Sequence, residues 1–460
     1  MPPLTNLRAL VWKHRELCAF TLVALAVRLF WNLKVHPPTS YAFSDMGGYL
    51  ERAQTMIDRP DDRIGYFGLF PWGTHTFLSI FKRLFGRDAT TSIGVGYAVL
   101  GAFSVGTSFQ LARRLTRRLW VPRVVAAILV VYYPWIALGG YVLSEPPFTL
   151  FLCATALAGL RLADRGRPGD AWLFGVALAI AAAFRPQILA AVPLLAIHAL
   201  VRRRTWKRLH PGLLWGAFIP LAMVMAYSAA RMHWHTGHAG GIAGNGPLNF
   251  AFGRCHATTI NSNAPDRKGS YSPPSLGALL AHEKEHPGSL IRLDPASDTR
   301  LGVVGHMWDA EPMSALASEC IRLTGPLRQA RYAATHVALL WFYNSIWPDS
   351  GQKGFQDAMS VSLALHDCFI LPPALVALVL SFRKRRARHA LISLHVVALV
   401  LVAMVYFGDT RLRAPYDSLL LILAVDVVAS AARAGRSAWR ARITKPSSPP
   451  HAMPDNPPSI

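Results

Sequence analysis

Charge is scarce in this chain. Only 16% of its 460 residues are charged, against 52% that are hydrophobic, and acids are few: 25 Asp and Glu against 48 Lys and Arg. There is no Walker glycine loop, no convincing dinucleotide fingerprint and no Asp-x-Asp pair for a nucleotide sugar and its metal, so soluble nucleotide-sugar chemistry is disfavoured. Cysteine is also sparse, with five residues. Cys18, Cys153 and Cys368 fall in apolar runs, whereas Cys255 and Cys320 share one long polar stretch, where an oxidising outer compartment would permit a bridge between them.

What is abundant is apolar sequence in long runs. They lie at about 17–35, 91–112, 119–138, 141–162, 171–184, 187–201, 211–230, 361–382, 389–407 and 414–432. The expected fold is therefore an all-α polytopic membrane protein of about ten transmembrane helices. The first run follows Arg8, Lys13 and Arg15 in the charge order of a signal peptide but lacks a small-residue cleavage site, which predicts an uncleaved first helix.

A net charge of +23 would ordinarily raise the question of nucleic acid. Here the basic residues sit in short clusters between apolar runs, so no nucleic acid partner is expected and membrane orientation explains them. The clusters 113–118, 161–167, 202–208 and 383–388 all become cytoplasmic if both termini are inside. That topology requires 72–85 not to cross. Phe77, Ile80, Phe81 and Leu84 recur there at helical spacing around Lys82 and Arg83, which predicts a helix lying on the outer interface.

The expected division is an N-terminal transmembrane catalytic module over 1–230 with a first outer loop at 36–90, and an extracytoplasmic, mostly helical loop domain over 231–349. C-terminal transmembrane helices over 350–443 and a disordered cytoplasmic tail over 444–460, rich in Pro and Ser, complete it. The expected location is a bacterial inner membrane.

Several short motifs together carry a family resemblance. Asp45 with Tyr49 and Ala53 lies just past the first span. Arg63-Ile-Gly-Tyr-Phe-Gly-Leu-Phe follows in the same loop, Tyr141-Val-Leu-Ser-Glu-Pro-Pro-Phe stands at the mouth of the fourth span, and Phe184-Arg-Pro-Gln breaks two short apolar runs. Asn245-Gly-Pro-Leu-Asn-Phe-Ala-Phe-Gly and Glu285-His-Pro-Gly-Ser-Leu-Ile-Arg-Leu lie in the large outer loop, and Gly408-Asp-Thr-Arg-Leu-Arg-Ala-Pro-Tyr opens the last span. In this order they resemble the GT-C class of polyprenyl-phosphate-sugar-dependent glycosyltransferases, especially protein O-mannosyltransferases and the lipid A aminoarabinose transferase. One departure is Met46, where the mannosyltransferases place a second acid beside the first.

The resemblance implies an inverting hexosyl- or pentosyltransferase at the outer face. Its partners would be a polyprenyl-phosphate-linked sugar donor, membrane lipid and an acceptor lipid, glycan or protein. A general base must take the acceptor's proton, and a partly desolvated carboxylate suits that task. Asp45 is the candidate, with capping of the helix that starts at Gly47 as its alternative role. Glu145 is the second candidate: it would orient the acceptor or pair with Arg63 or Arg185, or else be a helix N-terminal acid behind Ser144 and Pro146. Arg411, Arg413 and Arg185 are expected at the donor phosphate, or alternatively at lipid headgroups. Tyr49, Arg63, Tyr66 and Asp367 complete the expected substrate-binding set; of His366 and Asp367, at most one faces a cavity comfortably.

No cofactor follows firmly from the sequence. A divalent metal is compatible with it, and His233, His235, His238 and His256 form the histidine group that could hold one, although such outer-loop histidines are usually solvated. His282-Glu-Lys-Glu-His286 has zinc-protease spacing, but Pro287-Gly288 ends the helix and no third ligand is evident. A lipid-linked sugar flippase, or a ligase or polymerase using diphosphate-linked glycans, stands as the alternative function. The absence of internal repeats weighs against a transporter.

Overall fold

The computed structural model describes residues 14–443 except 117, 207, 256–259, 264–267, 272–300, 304–308, 343–350 and 384–385. The two-histidine motif at 282–286, the segment opening at Glu285, His256, the N-terminal basic residues before 14 and the tail after 443 lie outside these residues.

Helices α1 (Arg15–Phe30, continued by a wide turn at Trp31–Val35), α2 (Asp45–Asp58), α3 (Tyr66–Leu69), α4 (Gly73–Phe85) and α5 (Thr90–Leu115) come first. Next are α6 (Trp120–Val131), α7 (Tyr133–Gly139), α8 (Glu145–Arg165), α9 (Pro168–Phe184), α10 (Ala191–Val201), α11 (Pro211–Thr236) and α12 (Gly246–Arg254). Strands β1 (Ile260–Asn263), β2 (Lys268–Tyr271) and β3 (Leu301–Val303) follow, then α13 (Ala310–Phe342), α14 (Lys353–Leu365), α15 (Leu371–Ser381), α16 (Ala387–Val405), α17 (Thr410–Arg413) and α18 (Asp417–Ile443).

Seven of these stretches are long and apolar enough to cross a membrane, α14 and α15 counting as one span through the wide turn at His366–Ile370. An eighth is the pair α6 and α7, bent by 48° at extended Tyr132, with Pro134 in the first turn of α7. Two shorter apolar helices, α9 and the stretch Pro186–Val201, occupy the remaining two expected spans. The protein is thus a polytopic membrane protein, all-helical among the described residues apart from one small sheet between α12 and α13, ordered β2-β1-β3, with β1 antiparallel to β2 and parallel to β3. Strand β3 pairs with β1 across 41 positions of chain, beyond what local periodicity can signal.

Helix α4 has 13 residues, about 20 Å of axis, too short to cross. It packs on α2, α5 and α9 through Phe77 and Leu78, leaving Ile80, Leu84 and Phe85 exposed. Helix α8, by contrast, traverses the bundle over 21 residues, about 30 Å, with Glu145 at one end and Arg165 at the other. At its Arg165 end Asp164 accepts from Arg114 at 3.2 Å and Arg388 at 2.7 Å, while the Asp164 carbonyl accepts from Arg208 at 2.8 Å. The four basic loops therefore meet at one end of the molecule, opposite Glu145.

Candidate active site

Three chain segments converge beside the N-terminus of α8. The first carries Asp45, the opening residue of α2. Ser44 before it has φ +48°, a left-handed conformation that is costly for a residue with a Cβ. Neither Ser44 nor Asp45 supplies a side-chain cap. The Asp45 carboxylate instead lies 3.9 Å from Arg411 and is about one-third exposed, at 32%.

Glu145 is the hub. It is fully buried, and both charges that face it are arginines: Arg411 donates from Nε, and Arg185 Nη2 stands at 3.3 Å. Ser144 Oγ donates to its second oxygen at 3.2 Å, so Ser144 serves the carboxylate and does not cap the helix. Of the two partners expected from sequence, Arg185 is the one found. It reaches Glu145 because α9 stops at Phe184, and the residue before Pro186 is held extended (φ −148°, ψ 104°). Its Nη1 is buried with no hydrogen-bond partner among the described residues.

Arg411 is presented by the single turn α17. Asp409 Oδ1 caps that turn by accepting from the Arg411 backbone N–H at 2.7 Å. Burial pushes the Asp409 carboxyl up, against the pull of the capped N–H and the Arg411 charge. Asp409 was not singled out from sequence, although its position two residues before an arginine at a span mouth is the kind of signal that marks such a cap. Tyr49 lies one turn beyond Asp45, buried; burial and the nearby Asp45 carboxylate push its phenol up to about 12. Met46 is buried in the same apolar cluster with Leu78, Ile93 and Tyr97, so the position of the missing second acid is part of the packing.

Arg413 and Asp367 lie apart from this centre. Arg413 is fully buried: Nη1 donates to Asp367 at 3.1 Å and to the Trp341 carbonyl at 3.1 Å, and Nε stands 3.3 Å from Asp417. Tyr132 donates to Asp417 at 2.7 Å, and His366 Nδ1 meets Asp367 at 2.9 Å. Arg411 and Arg413 are thus divided between two networks. Arg63 packs its guanidinium 4.5 Å above the Trp234 ring and is not among the groups around Glu145. The Tyr66 side chain lies outside the described residues. A further cationic group was missed from sequence: Arg52 lies 4.6 Å over Phe70 and 5.1 Å over Tyr49, and Arg231 donates to the Phe67 carbonyl at 2.7 Å and to His75 Nε2 at 3.0 Å.

No group of three or more metal-ligating side chains occurs among the described residues. His235 stacks on Phe67 at 5.1 Å between ring centres. Cys255 and Cys320 are joined in a disulfide with Cα atoms 5.2 Å apart.

Residues 70–228, less than half of the chain, match the family model described as dolichyl-phosphate-mannose-protein mannosyltransferase. The matched stretch contains Glu145 and Arg185. Among solved structures, the archaeal oligosaccharyltransferase AglB from Archaeoglobus fulgidus, in complex with an inhibitory peptide and a dolichol-phosphate, aligns with 94% of this chain at 12% identity and a TM-score of 0.50. The chain has a GT-C fold. It spans about half, 52%, of that AglB chain. ArnT from Cupriavidus metallidurans bound to undecaprenyl phosphate aligns with 95% of this chain and 81% of its own, at 16% identity and a TM-score of 0.39. No curated protein matches.

Proposed function

We propose that this GT-C chain is an inverting glycosyltransferase that moves a hexose or pentose from a polyprenyl-monophosphate carrier to a hydroxyl of a lipid, glycan or protein, at the outer face of a bacterial inner membrane. One observation carries this reading: Arg411 stands between a buried carboxylate, Glu145, and a reachable one, Asp45, at the end of the bundle opposite the basic loops. The family model over residues 70–228 agrees with a lipid-phosphate donor.

In the proposed step Asp45 takes the acceptor's hydroxyl proton as that oxygen forms its bond to the anomeric carbon. The bond from that carbon to the phosphate oxygen breaks, and its electron pair leaves with the phosphate. The added negative charge falls beside the Arg411 guanidinium and to Arg185 Nη1, whose buried donor has no other partner among the described residues. Glu145 fixes both guanidinium planes, since an unpaired carboxylate in that position would be too costly to bury. Tyr49 lines the base, and Arg413 with Asp367 anchors the turn that carries Arg411.

The test is transfer in nanodiscs from labelled monophosphate-linked and diphosphate-linked sugars, with Asp45→Asn beside the parent. Transfer from the monophosphate alone, reduced about 10²–10⁴-fold by the substitution, is the expected result. Full activity of Asp45→Asn removes Asp45 as the base, and preference for the diphosphate points to a ligase or polymerase.

A further inference from the structure

The Arg411 turn is gripped from both sides by two helices that the disulfide staples together. On one side, α12 lies with Gly253 against the Tyr406 carbonyl, so closely that a Cβ at Gly253 would overlap that oxygen. Arg254 Nη2 donates to the Met404 carbonyl at 2.5 Å, and the Phe250 and Tyr406 rings stand 6.2 Å apart. On the other side, α13 faces Gly408, where a Cβ would overlap the His336 carbonyl; the Gly408 N–H donates to His336 Nδ1 at 3.2 Å. Five residues further along α13, the Trp341 carbonyl accepts from Arg413. Gln329 ties the two helices, donating to the Arg254 carbonyl and to Thr324 Oγ1, both at 2.8 Å. The bond between Cys255 and Cys320 closes the pair. The segment 404–413 is therefore fixed by backbone contacts at both flanks, and Arg411 lies between the fixed points.

We infer that the stapled pair α12 and α13 is a positioning clamp for Arg411, setting how far its guanidinium stands from Asp45. Cys255, Cys320, Gly253 and Gly408 act through Arg411 and touch no reacting atom. The clamp rests on the site assignment proposed above only for its consequence in catalysis; its geometry can be tested without turnover.

The experiment measures modification of Asp45 by a water-soluble carbodiimide on the full chain in nanodiscs, read by peptide mass spectrometry, with exposed Asp58 as internal reference. Cys255→Ser with Cys320→Ser removes the staple, and Gly253→Ala pushes on the same segment with the disulfide intact. Both should raise Asp45 modification at least about threefold relative to Asp58, well below the melting temperature, as Arg411 withdraws from the carboxylate. A staple that served stability alone would lower Tm and leave the Asp45 to Asp58 ratio unchanged, and that outcome overturns the clamp. So does a rise in Asp45 modification in the disulfide variant with none in Gly253→Ala. Sugar transfer, measured in parallel, separates failure of the clamp from failure of the proposed reaction: a changed ratio with no transfer by any variant or the parent leaves the clamp standing and removes the reaction.

Discussion

Glu145 is the residue on which the centre depends most. Two guanidinium groups and one hydroxyl converge on a carboxylate with no exposure. Replacing it by Gln leaves two like charges facing each other with their counter-ion gone, a change that typically costs about 3–5 kcal/mol when a buried pair is broken. Glu145→Gln is therefore expected to lower the unfolding temperature clearly as well as activity, whereas Asp45→Asn, at a partly exposed site, should reduce transfer with little thermal effect. Differential scanning fluorimetry on both variants distinguishes the two roles. His75 supplies a pH signature. An arginine can only donate, so His75 Nε2, facing Arg231, must be an unprotonated acceptor. Burial, then the Arg231 and Arg52 charges, hold the imidazole well below its ordinary value of 6.5. In the unfolded chain the ring would take a proton near pH 6.5 that the folded protein refuses. Stability attributable to this group is then complete above that pH and declines as pH falls toward the depressed folded value. Melting curves from pH 8 to 5 should show that decline, and His75→Asn should make it shallower.

At the scale of elements, the Arg185-Pro186 break shows why a helix end can matter more than a helix. Proline at 186 removes a backbone donor and forces Arg185 extended, and that turn directs the guanidinium back to Glu145. Pro186→Ala would permit α9 to run on, carrying Arg185 off the carboxylate. Transfer is expected to fall about 10²-fold, the scale of a misplacement of about 1 Å, with far-UV circular dichroism unchanged or slightly more helical. This element was legible in advance, because Arg-Pro between two apolar runs states both the break and the need for a counter-ion. So were the apolar runs themselves and the short amphipathic α4, which periodicity reveals directly. What could not be read was the third dimension of the last-span motif. Arg411 and Arg413 look equivalent in Arg-Leu-Arg, yet the tight turn of α17 sends one to Glu145 and the other to Asp367 and Asp417. Equally hidden were Arg52 over Phe70, and the approach of α12 and α13 to the 404–409 connection, because such contacts join residues on different elements and leave no periodic trace.

At the scale of the molecule, charge and fold agree on a polarity. The arginine clusters at 113–118, 161–167, 202–208 and 383–388 belong to loops that touch one another around Asp164 or pack nearby, as Arg202 does in donating to the Phe382 carbonyl at 2.9 Å. Asp45, Glu145 and Arg411 gather at the opposite end of α8. The same end holds the disulfide-linked pair of helices, through their grip on the segment leading to Arg411. Positive loops are retained in the cytoplasm and disulfides persist outside it, so the proposed orientation, with the Asp45 end outward, predicts a labelling pattern. A membrane-impermeant maleimide should accordingly label Ser44→Cys in intact cells, while Thr116→Cys should react only after permeabilisation. The opposite pattern would place the carboxylates on the cytoplasmic side, where the disulfide would be reduced and an outward-facing lipid-linked donor could not reach them.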